Sequence, residues 1–376
     1  MTKKVVPMVD LHAQYLKIRK DINRAISSVI KDSAYIGGKY VTKFEQELAN
    51  FLDAKYAVAL NSGTDALYLS LWALGIKDGD EVITSSFSFF ATAEVIAKLG
   101  AKPVFVDIDP VTFNIDPAKI EKKISQKTKA IVPVHLFGQP ADMKPIMVLA
   151  GKYKLFVVED ACQAIGGQYR NSNIGTIGDA GCFSFFPSKN LGAYGDGGVV
   201  VTNNASLAEN IKKLRNHGSL IKYQNEEIGV NSRLDGLQAA ILSAKLKHLR
   251  KWNLSRFKIA KTYNRLLKSI PDIILPQTST ENCIPVFHQY TIRVKNGRRD
   301  RLKDYLQSKG ISTMIYYPIP IHLLQAMKYL GYKNSSLPET ELASREVLSL
   351  PVYPEITEKK IEFICRSILR FVSVQK

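Results

Sequence analysis

Cysteine is scarce in this sequence: four residues, Cys162, Cys182, Cys283 and Cys365, are spread over 376 positions. They form no CxxC pair, so neither a zinc site nor a disulfide framework is indicated, and a reducing cytoplasm is the expected location. No apolar run approaches the roughly 18 residues that a membrane helix needs. The opening MTKKVVPMVDLHAQY contains no apolar h-region, which argues against a secretory signal.

Acidic residues are also few: 34 Asp and Glu face 52 Lys and Arg, giving a net charge of +18. This excess permits an anionic partner such as nucleic acid, a membrane surface or a phosphorylated metabolite. The densest basic stretch, Lys245 to Lys261, contains no acid. Helical spacing places Leu246, Leu249, Leu254 and Phe257 on one side, so the solvated face of an amphipathic helix is the favoured interpretation. A nucleic-acid surface is the alternative, although no nucleic-acid motif accompanies the stretch.

Hydrophobic patterning predicts an α/β protein. The chain is too long for one core of ordinary size, so two domains are expected. Two N-terminal helices, separated by YIGGKY (Tyr35–Tyr40), come first. Short apolar strands then alternate with helical stretches such as Ala91–Leu99 and Pro117–Ile124, up to about Asn203. This alternation predicts a mainly parallel sheet flanked by helices.

The C-terminal part of the chain has a different pattern. A long helical stretch runs from Arg233 to about Ser269. After it, HQYTIRV and ISTMIYYP have the pattern of strands, and RDRLKDYLQSKG and TEKKIEFICRSILRFV that of helices. The predicted organisation is a large domain over residues 1–245, with its N-terminal helical segment. Residues 246–376 then supply a connecting helix and a small C-terminal α+β domain.

Polar residues follow several of the predicted strands, where ligands bind in open α/β sheets. The segment Asn61-Ser62-Gly63-Thr64-Asp65 follows the first strand and leads into a helix. Glycine, hydroxyl groups and unpaired amides at a helix start suit a phosphate. Serine, threonine and aspartate are also common N-caps, so capping alone is the simpler interpretation of this segment by itself.

Three further strand ends carry candidate residues. The segment LFVVED ends in Glu159 and Asp160, with Gln163 three residues later. The segment CFSFF contains Ser184 and is followed by Ser188 and Lys189, and DEVITSS is followed by Phe87, Ser88, Phe89 and Phe90. Taken singly, an acid here can cap a helix, a lysine is usually on the surface and aromatic residues are usually core. Together, a phosphate cradle, an aromatic ring, an acid and a lysine match the needs of one cofactor, pyridoxal 5′-phosphate.

Four segments of the chain also carry a family resemblance: NSGTDAL, VVEDACQA, FSFFPSKNLGAYGDGG and GVNSRLDGLQAAIL. They resemble the signature segments of fold type I pyridoxal-phosphate transferases, and most of all the DegT/StrS family of nucleotide-sugar aminotransferases. The resemblance runs in order from about Val9 to about Ile368. It implies a cytoplasmic, pyridoxal-phosphate-dependent aminotransferase that works as a homodimer, with no metal.

The resemblance implies a role for each strand-end residue. Lys189 would form a Schiff base with the cofactor and then carry the proton between cofactor and substrate carbons. Asp160 would pair with the pyridinium nitrogen, Gln163 would lie near the phenolic oxygen and Phe89 would stack on the ring. The other implied cofactor-binding residues are Gly63, Thr64, Asp65 and Ser184, with Asn231 reaching the phosphate bound by the partner subunit.

The resemblance further implies transfer of an amino group from L-glutamate to a keto nucleotide sugar. The segment YYPIPIHLLQ resembles members that aminate a dTDP-linked 3-keto-6-deoxy sugar; a UDP-linked 3-keto hexuronate and a 4-keto sugar are the alternatives. Candidate substrate contacts are Arg233, Tyr317, His322 and His217, for each of which a structural role is an equal alternative. A regulatory or nucleic-acid-binding protein on the same scaffold is the alternative from another functional class.

Overall fold

The structure is a computed structural model that describes residues 5–278 and 282–373. Its helices are α1 (Leu11–Asp32), α2 (Gly38–Leu52), α3 (Gly63–Ala73), α4 (Ala91–Lys98), α5 (Met143–Tyr153), α6 (Ala205–Leu214), α7 (Gly236–Leu246), α8 (Leu249–Leu267), α9 (Arg299–Ser308), α10 (Pro338–Glu346) and α11 (Glu358–Ser373). Its strands are β1 (Tyr56–Leu60), β2 (Glu81–Ser85), β3 (Lys102–Val106), β4 (Thr128–Val132), β5 (Phe156–Asp160), β6 (Gln168–Tyr169), β7 (Ser172–Asn173), β8 (Ala180–Ser184), β9 (Gly198–Thr202), β10 (Ile273–Ile274), β11 (Cys283–Ile284), β12 (Tyr290–Val294) and β13 (Val347–Leu350).

A seven-stranded sheet organises the first two thirds of the chain, in the order β1-β9-β8-β5-β4-β2-β3. Strand β9 runs antiparallel to β1 and β8, whereas the pairs from β8 to β3 are parallel. The predicted mainly parallel α/β sheet is therefore confirmed. Successive residues of β5 point into different cores: Val157 packs on one face of the sheet and Val158 on the other.

A second core forms around the small sheet β10-β12-β13 and helices α8, α9 and α11. Tyr263 of α8 stacks on Tyr290 of β12 with ring centroids 4.6 Å apart. Val6 belongs to the same core and pairs with Ile311 through a parallel bridge. The second core therefore also takes up the segment that precedes α1. In residues 5–278 and 282–373, we find no helix with the length and apolar character that spanning a bilayer requires.

Several sequence-based expectations differ from the structure. The helical stretch predicted from Arg233 to Ser269 is two helices, because α7 ends at Leu246 and α8 starts at Leu249. The segment ISTMIYYP is not a strand: Ile311 and Met314 make isolated bridges, and β13 occupies the place beside β12. Residues 117–124 form two 3₁₀ turns instead of an α-helix. The predictions also missed α6, α10 and β13.

The basic stretch is less uniformly solvated than its composition indicates. Lys245 is 0% exposed and Arg256 3% exposed, whereas Leu254, predicted on the apolar side, is 52% exposed. Leu254 lies five residues after Leu249 in the same helix α8, about 140° around it at 3.6 residues per turn, and so away from the face on which Leu249, Trp252 and Arg256 are buried. Two cations of the stretch therefore face the protein interior, and their partners lie close to the candidate site.

Candidate active site

A cavity of about 440 Å³ lies at the carboxyl ends of β1, β2, β5 and β8. This is where an open α/β sheet places its ligand. The sequence-predicted residues that line it are Gly63, Thr64, Phe89, Asp160, Gln163, Ser184, Lys189 and Tyr317. The sheet therefore brings together side chains that are up to two hundred and fifty positions apart in the chain.

The start of α3 forms one end of the cavity. Ser62 is the N-cap, and its Oγ accepts the amide of Asp65 at 3.1 Å. The amides of Gly63 and Thr64 have no acceptor within the helix, so they and the positive end of the helix dipole are available to an anion. Gly63 is required by packing, because a Cβ there would lie 2.6 Å from Ser184 Cβ and 2.9 Å from Cys162 Sγ.

Substituting Gly63→Ala should weaken cofactor binding roughly tenfold or more, since overpacking of this kind costs about 1–3 kcal/mol. The added methyl group must push the start of α3 away from Ser184. Cofactor titration of the apoprotein measures the effect. Gly151→Ala in α5 is the matched control, because no atom lies within 4 Å of its Cβ position. Equal affinity of the Gly63→Ala and Gly151→Ala proteins would contradict the role of this contact.

Asp160 ends β5 and is 6% exposed. Its Oδ2 accepts the Thr92 hydroxyl at 2.7 Å and its Oδ1 accepts the Cys162 amide at 3.2 Å. Within residues 5–278 and 282–373, no lysine, arginine or histidine forms an ion pair with this carboxylate. A buried carboxylate facing a cavity without a protein cation favours a ligand that brings a positive charge.

Glu159 has a different task from its neighbour. The alternation along β5 turns it to the opposite face, where it accepts the amides of Gly175, Ile177 and Gly178 at 2.7–2.8 Å. His135 completes the set with Nε2 at 3.0 Å from Glu159 Oε2. Glu159 therefore anchors the turn that precedes β8 and does not reach the cavity.

Gln163 links two walls of the cavity. Its Oε1 accepts the Phe137 amide at 2.8 Å, and its Nε2 donates to the Tyr317 hydroxyl at 3.2 Å. Burial raises the pKa of Tyr317, so this side chain remains a neutral phenol. The Tyr317 and Phe89 ring centroids are 6.3 Å apart. The two hydrogen bonds thus hold the Gln163 amide in one orientation, beside the rings of Tyr317 and Phe89.

Lys189 follows β8 after the turn Pro187-Ser188, and its amide donates to Phe186 O at 2.8 Å. Loss of hydration lowers the pKa of its ammonium group, while the carboxylate of Asp160 acts in the opposite direction. A lysine with a lowered pKa is more often present as the free amine, which is the nucleophilic form. The position suits covalent chemistry with a carbonyl group.

Several residues in the cavity were not predicted. They include Phe137, Cys162, His288, Gln289 and Tyr316. His288 is 6% exposed, and burial lowers its pKa well below the usual value, helped by the positive charges of Lys189 and Arg256. The imidazole is therefore uncharged. The only feature of the sequence that could have indicated His288 and Gln289 is that they form a polar pair directly before β12.

Five of the predicted residues lie outside the cavity lining: Asp65, His217, Asn231, Arg233 and His322. His322 is buried, with Nδ1 2.7 Å from Ser86 Oγ and Nε2 3.3 Å from a carboxylate oxygen of Glu341. Asn231 and His217 are exposed, and Arg233 Nε donates to Asn231 Oδ1 at 2.9 Å. Within the described parts of the chain, no group of three or more His, Cys, Asp or Glu residues is arranged to hold a metal ion.

The sequence between residues 16 and 369 matches the DegT/DnrJ/EryC1/StrS aminotransferase family. The chain belongs to this family. It is a sugar aminotransferase, and its cofactor is pyridoxal 5′-phosphate. The cavity fits this cofactor, since it combines a helix start with free amides, a lysine and a buried carboxylate without a protein cation.

Similar relatives carry several names. A "Pleiotropic regulatory protein" of Geobacillus stearothermophilus is 49% identical over 97% of this chain and 98% of its own length. A UDP-N-acetyl-3-dehydro-alpha-D-glucosamine 3-aminotransferase of Acidithiobacillus ferrooxidans is 45% identical, covering 97% of both chains. A dTDP-3-amino-3,6-dideoxy-alpha-D-galactopyranose transaminase of Aneurinibacillus thermoaerophilus is 44% identical over 98% of this chain and 99% of its own.

A solved structure with the same architecture contains a bound reaction intermediate. The crystal structure of S. venezuelae DesV, in complex with a ketimine intermediate, matches with a TM-score of 0.95 and 41% identity. The match covers 98% of each chain. The DegT/DnrJ/EryC1/StrS aminotransferase fold therefore extends over essentially the whole chain, including the small C-terminal domain.

Proposed function

We propose that this aminotransferase moves an amino group from L-glutamate to a nucleotide-linked keto sugar, with a dTDP-3-keto-6-deoxyhexose as the preferred acceptor. The observation that carries the proposal is the pairing, in one cavity, of Lys189 with the cation-free carboxylate of Asp160. Overall, L-glutamate becomes 2-oxoglutarate, and the sugar carbonyl becomes an amine. The net charge of +18 favours a dianionic diphosphate substrate.

The phosphate of the cofactor would be held at the start of α3. Gly63 and Thr64 offer amides and a hydroxyl group, and Ser184 lies directly beside Gly63. The amide of Asp65 already donates to Ser62 Oγ and is not available to the phosphate. Asp65 would therefore affect cofactor binding only through its position in the first turn of α3 and its effect on the local charge.

The ring of the cofactor would be held from three sides. Asp160 would pair with the ring nitrogen, Gln163 would contact the phenolic oxygen, and Phe89 would pack on the ring face. When bound, pyridoxal phosphate supplies an aldehyde and a ring that accepts electrons. The hydrogen bond from Thr92 fixes the Asp160 carboxylate so that one orientation faces the cavity.

Lys189 would have two tasks in the reaction. Its amine would hold the cofactor covalently through the aldehyde. As the free amine, Lys189 would take the proton from the α-carbon of the donor, and it would likewise deliver a proton to the sugar carbon that receives the amino group. A lowered pKa increases the share of the free amine, which is the form that accepts a proton. Tyr317 and the uncharged His288 line the same cavity.

The choice of sugar rests on the relatives. Two of them bear names that specify amino groups at carbon 3, one on a UDP sugar and one on a dTDP sugar. We place a dTDP-linked 3-keto-6-deoxy sugar first, with a UDP-linked 3-keto hexuronate and a 4-keto sugar as alternatives. Arg233, His217 and His322 lie outside the cavity of this chain, so any contact they make with substrate would involve a changed conformation or a second subunit.

An isotope experiment tests the proposed function. The purified protein is incubated with pyridoxal phosphate, nitrogen-15-labelled L-glutamate and each candidate keto nucleotide sugar, and the products are identified by mass spectrometry and NMR. We expect the label in an amino sugar, most rapidly with the dTDP-3-keto-6-deoxyhexose, and none with the Lys189→Ala protein. Label in no sugar, or only in a substrate without a nucleotide, would contradict the proposal.

We also propose that the active unit is a homodimer in which Asn231 reaches the partner's cofactor phosphate. Three observations support a partner surface here. Asn231 is exposed and does not line the cavity of its own subunit. It forms an isolated antiparallel β-bridge with Asn216, and these two residues flank an exposed segment. In that segment Tyr223 is 86% and Ile228 82% exposed. Exposed apolar side chains of this size indicate a protein interface.

Asn231→Ala should lower cofactor affinity roughly tenfold, because a hydrogen bond to a charged group contributes about 1.5–3 kcal/mol. The loss should depend on protein concentration near the dimer dissociation constant, which cofactor titrations at several concentrations will measure. Asn334→Ala, at another exposed position, is the control. Unchanged affinity in the Asn231→Ala protein would place this side chain away from the phosphate.

A regulatory or nucleic-acid-binding role is the second candidate. It is favoured by the net charge of +18 and by the name of the Geobacillus stearothermophilus relative. Binding of this kind weakens steeply with salt concentration. Retention on DNA or RNA columns at physiological ionic strength, lost at high salt, would support this role, and elution at low salt would remove it.

A further inference from the structure

Lys245 is a fully buried lysine that the proposed chemistry does not use. It lies in α7, is 0% exposed, and its Nζ donates to the carbonyl oxygen of Gly192. The same Nζ lies 5.0 Å from the centroid of the Tyr194 ring. Burial lowers its pKa to about 8, opposed by the negative charge of Glu355. Lysine is rarely buried in this way, so its partners point to what it does.

Both partners belong to one segment, residues 190–197, which we call the post-lysine loop because it follows Lys189. Several hydrogen bonds to residues outside the loop hold it in place. Asn190 Nδ2 donates to Val286 O at 3.0 Å, the Ala193 amide donates to Phe185 O at 2.7 Å, and the Tyr194 amide donates to Gln238 Oε1 at 2.8 Å. Lys245 contributes the charged contact at the centre of the loop.

The post-lysine loop packs directly against the turn that carries Lys189. A Cβ on Gly192 would lie 2.2 Å from Pro187 O and 2.7 Å from its carbonyl carbon. The backbones of Gly192 and Pro187 are therefore in close contact, with no room for a side chain between them. A shift of Gly192 towards this turn would displace Pro187, which precedes the reactive lysine by two residues.

We propose that Lys245 is a positioning residue for Lys189, holding the Gly192 carbonyl and thereby the turn that directs the reactive amine into the cavity. Lys245 does not line the cavity, so it acts only through this chain of contacts. A small displacement of a reacting group is costly: a shift of about 1 Å can lower a rate by roughly 100-fold. The inference concerns Lys189 and rests on the proposed L-glutamate half-reaction, but not on the identity of the sugar.

Lys245→Met tests the inference, with Lys247→Met as the matched control that removes the same charge from an exposed position of the same region. Replacing a buried ion with an apolar side chain is often neutral for stability, so the melting temperature should change little. The rate of the half-reaction with L-glutamate, per bound cofactor, should fall at least tenfold while KM changes little. The pH midpoint of the visible absorption of the bound cofactor should also shift. Lys247→Met should match the wild-type protein in all three measurements.

Two results would overturn the inference. One is a Lys245→Met protein with the wild-type rate and pH midpoint. The other is a loss of activity explained entirely by lost folding or cofactor occupancy, with the rate per bound cofactor unchanged. The pH midpoint needs no amino donor, so it tests Lys245 even if L-glutamate proves to be the wrong donor.

A second variant keeps the test valid if Lys245→Met does not fold. Tyr194→Leu removes the ring beside Nζ at a position that is 39% exposed, so folding should tolerate it. It should lower the rate per bound cofactor severalfold and shift the pH midpoint. A Tyr194→Leu protein identical to wild type in both measurements would also overturn the inference.

Discussion

A Lys189→Ala protein should fold normally and lose turnover by roughly 10³-fold or more, since positioned acid–base catalysis alone contributes 10²–10⁴-fold and the covalent link to the cofactor is lost as well. The side chain of Lys189 lies in the cavity and not in the hydrophobic core, so its removal leaves the packing of β8 unchanged. The contacts at the start of α3 do not involve Lys189, and weak cofactor binding through the phosphate should remain.

Steady-state turnover, melting temperature and cofactor titration together measure this effect. Lys251→Ala, at an exposed position on α8, is the control for loss of one positive charge. The expected pattern is a wild-type melting temperature, measurable cofactor affinity and no turnover. Turnover at the wild-type rate in the Lys189→Ala protein would remove the assignment of this lysine.

An Asp160→Asn protein should bind the cofactor and turn over about 10²-fold more slowly. Asparagine can still accept the Cys162 amide through its one oxygen, and its Nδ2 can donate to the Thr92 hydroxyl, which rotates to accept, so the local geometry should survive. What is lost is the negative charge that would keep the ring nitrogen protonated in a buried site. Stability should not fall, because a neutral amide is cheaper to bury than a carboxylate without a cation.

Glu159→Gln is the matched control for Asp160→Asn. Glu159 anchors three amides and His135 on the opposite face of the sheet, so its neutralisation should lower the melting temperature. The rate per bound cofactor should stay near wild type. Half-reaction rates and melting curves of the two variants separate the two carboxylates. If Glu159→Gln proved the slower enzyme per bound cofactor, the assignment of the catalytic acid would be wrong.

The large-domain fold and the cofactor side of the cavity could be predicted because local signals agree there. Apolar runs such as Phe156–Asp160 have strand length and end at the sheet edge, where polar residues must converge. Eight predicted residues do line one cavity. The strand-end pattern by itself did not separate Glu159 from Asp160, and only the family resemblance pointed to Asp160. In the structure the distinction follows from the face of β5 that each residue occupies in the assembled sheet.

The substrate side and the positioning residues depend on contacts between distant segments. His288 enters the cavity because residues 286–289 pass beside Phe137, and Arg256 binds the carbonyls of Phe287 and His288. His322 instead turns into the protein, towards Ser86 and Glu341. Lys245 belongs to a basic stretch that composition assigns to solvent. No local pattern distinguishes these buried polar residues from exposed ones.

The most direct test of the central claim is a visible absorption spectrum of the purified protein with pyridoxal phosphate, recorded before and after addition of L-glutamate. We expect a yellow absorption band that depends on Lys189 and bleaches as the amino form of the cofactor accumulates. A band that forms but does not respond to L-glutamate would contradict the proposed donor. Failure to form any band would contradict the claim that this cavity performs pyridoxal-phosphate chemistry.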